Sequence, residues 1–317
     1  MTAEIYLISG FLGAGKTTFI QKMLDEVFRK NKVVLVENDF GEIGIDAALL
    51  KSSGVEIKEI NSGCICCSLS GDFVKALKEM LERFQPDKIV IEPSGVAKLS
   101  DIVKACSDPS ITPLAKLKAN ITVVDVKRCK IYLDNFGEFF EDQIQNADIV
   151  LLSHVEDSSG KIDYARELVK SLNNHARIVA DPWEQITAAE ILRPEYTHSD
   201  HEVGCHRKHE HHECGNGCCE HGHAHPSAEN VFDTVNIQTK RIFTTEDLRA
   251  RVFRMADSSN GDILRAKGIV RTADGYMDLQ YIPGDISIKK CATGGDMLCI
   301  IGQNLNRQEL ISLFNGE

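Results

Sequence analysis

Long runs of lysine and arginine are absent from the sequence, and the formal net charge is −11. Proteins that bind nucleic acid without sequence preference need clustered positive charge, because counterion release from the phosphate backbone drives their binding. Anionic membrane surfaces attract the same kind of basic patch. The composition therefore argues against both nucleic acid and membranes as partners.

Long apolar segments are also absent. No run of about 18 apolar residues occurs, so we expect no membrane span. The first ten residues, MTAEIYLISG, lack the basic segment and apolar core of a secretory signal peptide. Hydrophobic residues make up 43% of the chain and charged residues 26%, which is the balance of a soluble globular protein. We therefore expect a cytoplasmic protein.

Cysteine, by contrast, is plentiful, since the chain contains 11. In a cytoplasmic protein, closely spaced cysteines indicate metal or redox chemistry more often than disulfides. Two groups are closely spaced, one at residues 64–67 and one at residues 205–219. The other four have apolar neighbours and are predicted to be core residues, namely Cys106, Cys129, Cys291 and Cys299.

The organisation of the chain predicts an α/β protein. Residues 1–195 alternate apolar runs with helical patterns, which predicts one P-loop domain with a mostly parallel sheet. Its predicted strands lie at residues 5–9, 33–37, 55–60, 89–92, 121–125 and 149–153, and its predicted helices at 16–30, 70–84, 134–147 and 160–174.

Residues 196–228 are poor in aliphatic residues and are predicted to be a linker, because they cannot bury enough apolar surface to fold alone. Residues 229–317 are predicted to form a smaller α+β domain with a largely antiparallel sheet. In that domain we predict a helix that starts at Thr244-Thr245-Glu246-Asp247 with a hydroxyl cap and ends near Asp257, and a last helix at 306–314. Its predicted strands lie at residues 231–238, 263–271, 276–282, 286–291 and 297–302.

The segment GFLGAGKT at residues 10–17 fits the phosphate-binding pattern G-x-x-x-x-G-K-[ST]. It follows a predicted strand and precedes a helical pattern, which is the context that the motif requires. Its glycines let backbone amides turn toward phosphate oxygens, and Lys16 and Thr17 are predicted to serve the phosphates and Mg²⁺. The predicted nucleotide-binding residues of this loop are Gly10, Gly13, Ala14, Gly15, Lys16, Thr17 and Thr18.

Acidic residues follow the two strands expected beside this loop. Residues 37–46 include four acids, which would repel a triphosphate unless a cation lies between them. Glu37 and Glu42 are therefore candidate metal ligands, Glu42 also for Mg²⁺, with a solvated acidic loop as the alternative. The next strand leads into Glu92-Pro93-Ser94-Gly95, which is similar to the Asp-x-x-Gly of GTPases. Glu92 is a candidate catalytic residue beside Lys16, and the Gly95 amide a candidate contact to the γ-phosphate.

Three thiols within four residues, Cys64, Cys66 and Cys67, can converge on one soft or borderline metal ion. Their spacing differs from the Cys-x-x-Cys of structural zinc sites. Because a site with two or three thiolates and an open position suits metal transfer better than storage, we predict a site that transfers metal. The alternatives are a buried loop with inert cysteines and a redox couple.

The predicted linker is itself rich in metal ligands, with nine histidines and four cysteines. Imidazole and thiolate together favour Zn²⁺, Ni²⁺, Co²⁺ or copper, and the irregular spacing predicts a flexible buffer with several sites. A solvated linker with incidental affinity is the alternative. The predicted accessory ligands are His198, His201, Cys205, His206, His209, His211, His212, Cys214, Cys218, Cys219, His221, His223 and His225.

Taken in order, these segments resemble the CobW-type metallochaperone GTPases across both predicted domains. The resemblance rests on GFLGAGKTT, ENDFGEIGID, the cysteines at 64–67, EPSGVA and LRAKGIVR. It implies a GTPase related to the urease and hydrogenase nickel-insertion GTPases, with GTP and Mg²⁺ as cofactors and nucleotide state controlling a bound metal. It also implies that zinc, cobalt or another divalent transition metal is delivered to the apo-form of a client metalloprotein. A nucleotide-dependent homodimer is one oligomeric state left open.

The sequence departs from that family after the strand at 149–153. Family members usually carry Asn-Lys-x-Asp there, and this chain has Ser153-His154-Val155-Glu156. Ser153 and Glu156 are kept as nucleotide-binding residues, since Glu156 can accept two hydrogen bonds from guanine, while Asp157 competes for that role. We expect GTP with relaxed selectivity for the base. A metal-storage protein and a P-loop ATPase or kinase are the alternative functions.

Overall fold

A computed structural model describes residues 2–37, 72–156, 159–193, 231–292 and 294–315. The strand predicted at 55–60 and the linker predicted at 196–228 lie outside these residues. Both boundaries of that linker do as well, so the three-part division of the chain stays a prediction.

Within the described residues, six strands form one parallel sheet, which confirms the expected α/β architecture. The strands are β1 (Ala3–Gly10), β2 (Val33–Glu37), β3 (Lys88–Glu92), β4 (Ala115–Asp125), β5 (Ile149–Ser153) and β6 (Arg177–Val179). Their order across the sheet is β2-β3-β1-β4-β5-β6. β1 is therefore a central strand, and its carboxyl end is flanked by those of β3 and β4.

Helices cover both faces of this sheet. They are α1 (Lys16–Glu26), α2 (Asp72–Phe84), α3 (Leu99–Cys106), α4 (Cys129–Gln145), α5 (Ser159–Leu172) and α6 (Ala188–Ile191). On β1, Ile5 and Leu7 pack with α2 and α3, whereas Tyr6 and Ile8 pack with α1. Burial on both faces explains why the strands read as continuous apolar runs. None of the helices in the described ranges combines the length and apolar character that crossing a bilayer requires.

The C-terminal part folds as an antiparallel sheet with two helices, among the residues described there. Its strands are β7 (Asp233–Gln238), β8 (Asp262–Thr272), β9 (Gly275–Ile282), β10 (Asp285–Cys291) and β11 (Met297–Gln303), in the order β10-β9-β8-β11-β7. Its helices are α7 (Thr245–Met255) and α8 (Arg307–Asn315). The Thr244 hydroxyl accepts a hydrogen bond of 3.0 Å from the Asp247 N–H, which confirms the predicted cap of α7.

One apolar cluster joins the two sheets. Phe11 and Leu12, which follow β1, share it with α4 and with Leu264 of the C-terminal part. Phe232 anchors the contact, since its ring centroid lies 5.2 Å from that of Phe139 on α4. The C-terminal sheet is therefore packed against the residues of the predicted phosphate loop.

Candidate functional site

The predicted phosphate loop connects β1 to α1 through backbone conformations that glycine favours. Gly10, Gly13 and Gly15 have φ values of +140°, +74° and +103°. A Cβ atom on Gly10 would lie 2.4 Å from the carbonyl oxygen of Val123, so only glycine fits there. Ala14 is buried within the loop, whereas Thr18 is exposed on the first turn of α1.

The structure brings Glu92 beside Lys16 and Thr17, two adjacent residues that lie far from it in the sequence. The Lys16 ammonium donates to the Gly10 carbonyl at 3.0 Å and lies 3.9 Å from a Glu92 carboxylate oxygen. The Thr17 hydroxyl lies 3.3 Å from the same carboxylate, which it reaches because β3 pairs with β1. Thr17 and Glu92 thus present hard oxygen donors of the kind that Mg²⁺ prefers, beside a buried cation.

The loop after Glu92 lies directly against the phosphate loop. A Cβ atom on Gly95 would be 2.8 Å from the Leu12 backbone nitrogen, so this contact requires glycine. On its other side, the side-chain amide of Gln143 donates to the carbonyls of Gly95 and Ala97, at 3.1 and 2.9 Å. Sequence reasoning missed Gln143, although a glutamine on the buried side of a helical pattern is the kind of signal that reveals such a residue.

The segment Ser153–Glu156, which replaces the Asn-Lys-x-Asp pattern, makes contacts with the phosphate loop and with β4. The Ser153 hydroxyl donates to the carbonyl of Ala14 in the phosphate loop at 2.7 Å. His154 has a left-handed backbone, and its Nδ1 lies 3.3 Å from the buried carboxylate of Asp125. Glu156 is exposed at the end of this segment, and Asp157 lies outside the described residues.

Asp125, which sequence reasoning missed, is a charge centre at the end of β4. Burial raises its pKa, but hydrogen bonds from His154 and Arg128 outweigh that effect and hold the pKa below its ordinary value. The hydrogen bond to Asp125 in turn raises the pKa of His154. Arg128 continues the chain of charges, because it also lies 3.6 Å from Asp285 at the start of β10. An acid that ends a buried apolar strand was the available signal.

Trp183, the only tryptophan in the chain, lies beside the phosphate loop. Its ring lies 3.3 Å from the position that a Cβ on Gly15 would occupy, and its Nε1–H donates to the Leu152 carbonyl at 3.1 Å. The ring also meets Phe19 of α1 edge to face, with centroids 5.8 Å apart. Its fluorescence therefore offers a direct probe of nucleotide binding.

Most of the predicted transition-metal site lies outside the described residues. This holds for Glu42, the cysteines at 64–67 and every accessory ligand in the predicted linker. Glu37 is described by its backbone, which ends β2 in register with Glu92. Among the described residues, no group of three or more His, Cys, Asp or Glu side chains could hold a metal ion.

The cysteines predicted to be core residues divide into two groups. Cys106, Cys129 and Cys299 are buried, as predicted, and burial raises the pKa of the Cys106 thiol to about 12 and that of Cys299 to about 11. These thiols stay protonated at neutral pH and are poor metal ligands. The prediction was wrong for Cys291, which is only partly buried because it lies on β10, the edge strand of the C-terminal sheet.

Comparison with known families gives two matches that follow one another along the chain. The model described as the CobW/HypB/UreG nucleotide-binding domain matches residues 4–180. The model described as the cobalamin synthesis protein cobW C-terminal domain matches residues 232–316. The first match ends just after β6, the last strand of the parallel sheet, and the second begins just before β7, the first strand of the antiparallel sheet.

Curated relatives are similar over part of their length. The chain is 33% identical over 216 residues to the zinc chaperone CobW of Sinorhizobium sp, covering 59% of this chain and 60% of that protein. It is 37% identical over 145 residues to the zinc chaperone YeiR of Escherichia coli, covering 46% and 44%. It is 28% identical over 198 residues to the zinc-regulated GTPase metalloprotein activator 1 of Schizosaccharomyces pombe, covering 59% and 48%. The chain thus spans about half the length of these relatives.

Proposed function

The chain belongs to the family of the CobW/HypB/UreG nucleotide-binding domain, and we propose that it is a GTP-hydrolysing metallochaperone. The observation that carries this proposal is the meeting of Lys16, Thr17 and Glu92 at the carboxyl ends of β1 and β3. The names of the relatives favour zinc as the cargo, ahead of cobalt.

Hydrolysis in such a site depends mainly on positioning and on charge stabilisation. Lys16 exchanges its Gly10 carbonyl for the β- and γ-phosphates, while the loop amides hold the remaining oxygens. Thr17 and Glu92 would hold Mg²⁺, which would neutralise charge on the phosphates. Alternatively, the carboxylate of Glu92 orients the attacking water. The Gly95 amide contacts the γ-phosphate.

The base is read on the side of the loop where β5 ends. The exposed carboxylate of Glu156 accepts hydrogen bonds from guanine N1–H and the exocyclic amine. Because the Asn and Lys of the usual motif are replaced by Ser153 and His154, selectivity for GTP over ATP is relaxed.

Metal is held by the thiolates of Cys64, Cys66 and Cys67, with Glu37 and Glu42 as further candidate ligands. It is then passed to the apo-form of a client protein. Thiolate ligands suit zinc, and the linker histidines act as an accessory reservoir. Binding of metal and of triphosphate is coupled, so that each raises the affinity for the other by the same factor.

The first test compares turnover of GTP and ATP by the full chain with Mg²⁺. Lys16→Ala is expected to reduce GTP turnover by roughly 100-fold or more, because it removes a charge preorganised for the phosphates. Lys30→Ala, which changes an exposed lysine beyond the end of α1, is the matched control. Unchanged turnover in Lys16→Ala, or a strong preference for ATP, contradicts the proposal.

The second test measures Zn²⁺ and Co²⁺ binding by calorimetry, with and without a non-hydrolysable GTP analogue. Coupling predicts tighter metal binding with the analogue, and equal affinity in both states contradicts it.

The nine histidines of the linker favour a metal buffer as the second candidate function. Loss of stoichiometric metal binding on deletion of residues 198–225 supports that second candidate.

A further inference from the structure

Gln143 is a polar residue on the buried face of α4, where apolar side chains are usual. Its side chain is 0% exposed and lies among the apolar neighbours Phe139, Phe140 and Ile144. An amide buried among apolar groups is unfavourable unless it is hydrogen-bonded. Its Oε1 has no hydrogen-bond partner within the described part of the chain, so only the NH₂ end offsets this cost.

Both hydrogens of that NH₂ group serve one loop. They are donated to the carbonyls of Gly95 and Ala97, which lie between β3 and α3. The same loop is closed internally by a 2.9 Å hydrogen bond from the Ala97 N–H to the Ser94 carbonyl. On its far side, Gly95 approaches Leu12 closely enough that a Cβ atom would lie 2.7 Å from the Leu12 Cδ2. Gly95 is therefore held between Gln143 and the phosphate loop.

The backbone of Gln143 is fixed as well. Its carbonyl accepts a 2.7 Å hydrogen bond from the buried hydroxyl of Thr122 on β4. Thr122 is paired in register with Ser9, the residue immediately before the phosphate loop. The glutamine thus links β4, the neighbour of the strand that leads into the phosphate loop, to the backbone of the loop after β3.

We propose that Gln143 is a positioning residue that fixes Gly95 against the phosphate loop, so that the Gly95 amide meets the γ-phosphate. This inference rests on the proposed GTPase function. Because only the triphosphate has a γ-phosphate, loss of Gln143 weakens binding and hydrolysis of GTP and leaves GDP binding unchanged. A residue that merely supported the fold would affect both nucleotides equally.

The test uses the full chain with Gln143→Met, which keeps the volume of the side chain and removes both donors. Gln145→Met is the matched control, because Gln145 is exposed on the same helix. Trp183 fluorescence reports binding of GDP and of a non-hydrolysable GTP analogue. We expect GDP affinity within about twofold of wild type, weaker analogue binding, and GTP turnover reduced by about tenfold or more. The control is expected to match wild type in all three.

A second variant guards against misfolding. Gln143→Asn keeps the amide but shortens it by one methylene, so it no longer reaches both carbonyls, and it is expected to show the same loss specific to GTP. Equal losses for GDP and the analogue, or no loss in a folded variant, overturn the inference. If the wild-type protein does not hydrolyse GTP, the proposed function fails, and the two binding affinities still decide the role of Gln143.

Discussion

Replacing Ser153 with alanine tests what the segment at residues 153–156 does. The Ser153 hydroxyl is buried and donates to the Ala14 carbonyl at 2.7 Å. A net hydrogen bond contributes about 0.5–1.5 kcal/mol, and a buried carbonyl left without its donor costs about 1–3 kcal/mol. We therefore expect Ser153→Ala to lower the free energy of unfolding by about 1–2 kcal/mol. Ser171→Ala is the matched control, because its hydroxyl donates to the Leu168 carbonyl at the same 2.7 Å but at an exposed position, and its loss is expected to stay below about 0.5 kcal/mol.

The same substitution separates a role in holding the loop from a role in reading the base. Since Ala14 belongs to the phosphate loop, its displacement weakens GTP, GDP and ATP alike. A cost of about 1 kcal/mol corresponds to roughly fivefold in each affinity. Urea unfolding gives the stability, and Trp183 fluorescence titrations give the three affinities. A changed ratio of GTP to ATP affinity, with GDP and GTP affinities still moving together, would refute this reasoning and make Ser153 a base contact.

Two further substitutions test the geometry around the loop. Gly10→Ala should lower the free energy of unfolding in urea by at least about 3 kcal/mol, because of the positive φ and the contact with Val123. Gly160→Ala is the control, because Gly160 has open space around it, and it should stabilise α5 by about 0.5–1 kcal/mol. His154→Gln tests the pair with Asp125: the raised pKa of folded His154 gives a stabilisation that is complete below the unfolded pKa and is lost as pH rises through the folded one. The stability difference from wild type should thus shrink as the pH rises above the unfolded pKa of about 6.5, and a difference that grows with pH contradicts the pair.

Much of the parallel sheet could be predicted because its strands are buried on both faces. The predicted strands at 33–37 and 149–153 coincide with β2 and β5. β4 begins at Ala115 rather than at residue 121, because its first residues alternate exposed lysines with buried or partly buried residues and do not form an apolar run. The helix predicted at 134–147 begins instead at Cys129. Its first turns were not predicted because non-helical angles at Phe136 interrupt the helical periodicity. Short elements such as α3, α6 and β6 carry too few residues for a periodic pattern.

The site could be predicted where function dictates a local motif. Lys16 and Thr17 belong to one such motif, and Glu92 follows a strand that parallel topology places beside it. Gln143 and Trp183 belong to no motif, because they reach the loops through tertiary packing across long separations in sequence. Their neighbours are set by the order of the strands and by the packing of α4, which residue spacing alone does not encode.

The phosphate loop also has a second, buried side that links it to the C-terminal sheet. Tyr132 of α4 donates to the Leu12 carbonyl at 3.0 Å, and Ile282, at the end of β9, would lie 3.2 Å from a Cβ on Gly13. Interiors are close-packed, so a loop that changes shape with its nucleotide must displace these neighbours or be held by them. Any ligand that shifts the C-terminal sheet therefore alters nucleotide affinity, and nucleotide alters the affinity of that ligand by the same factor.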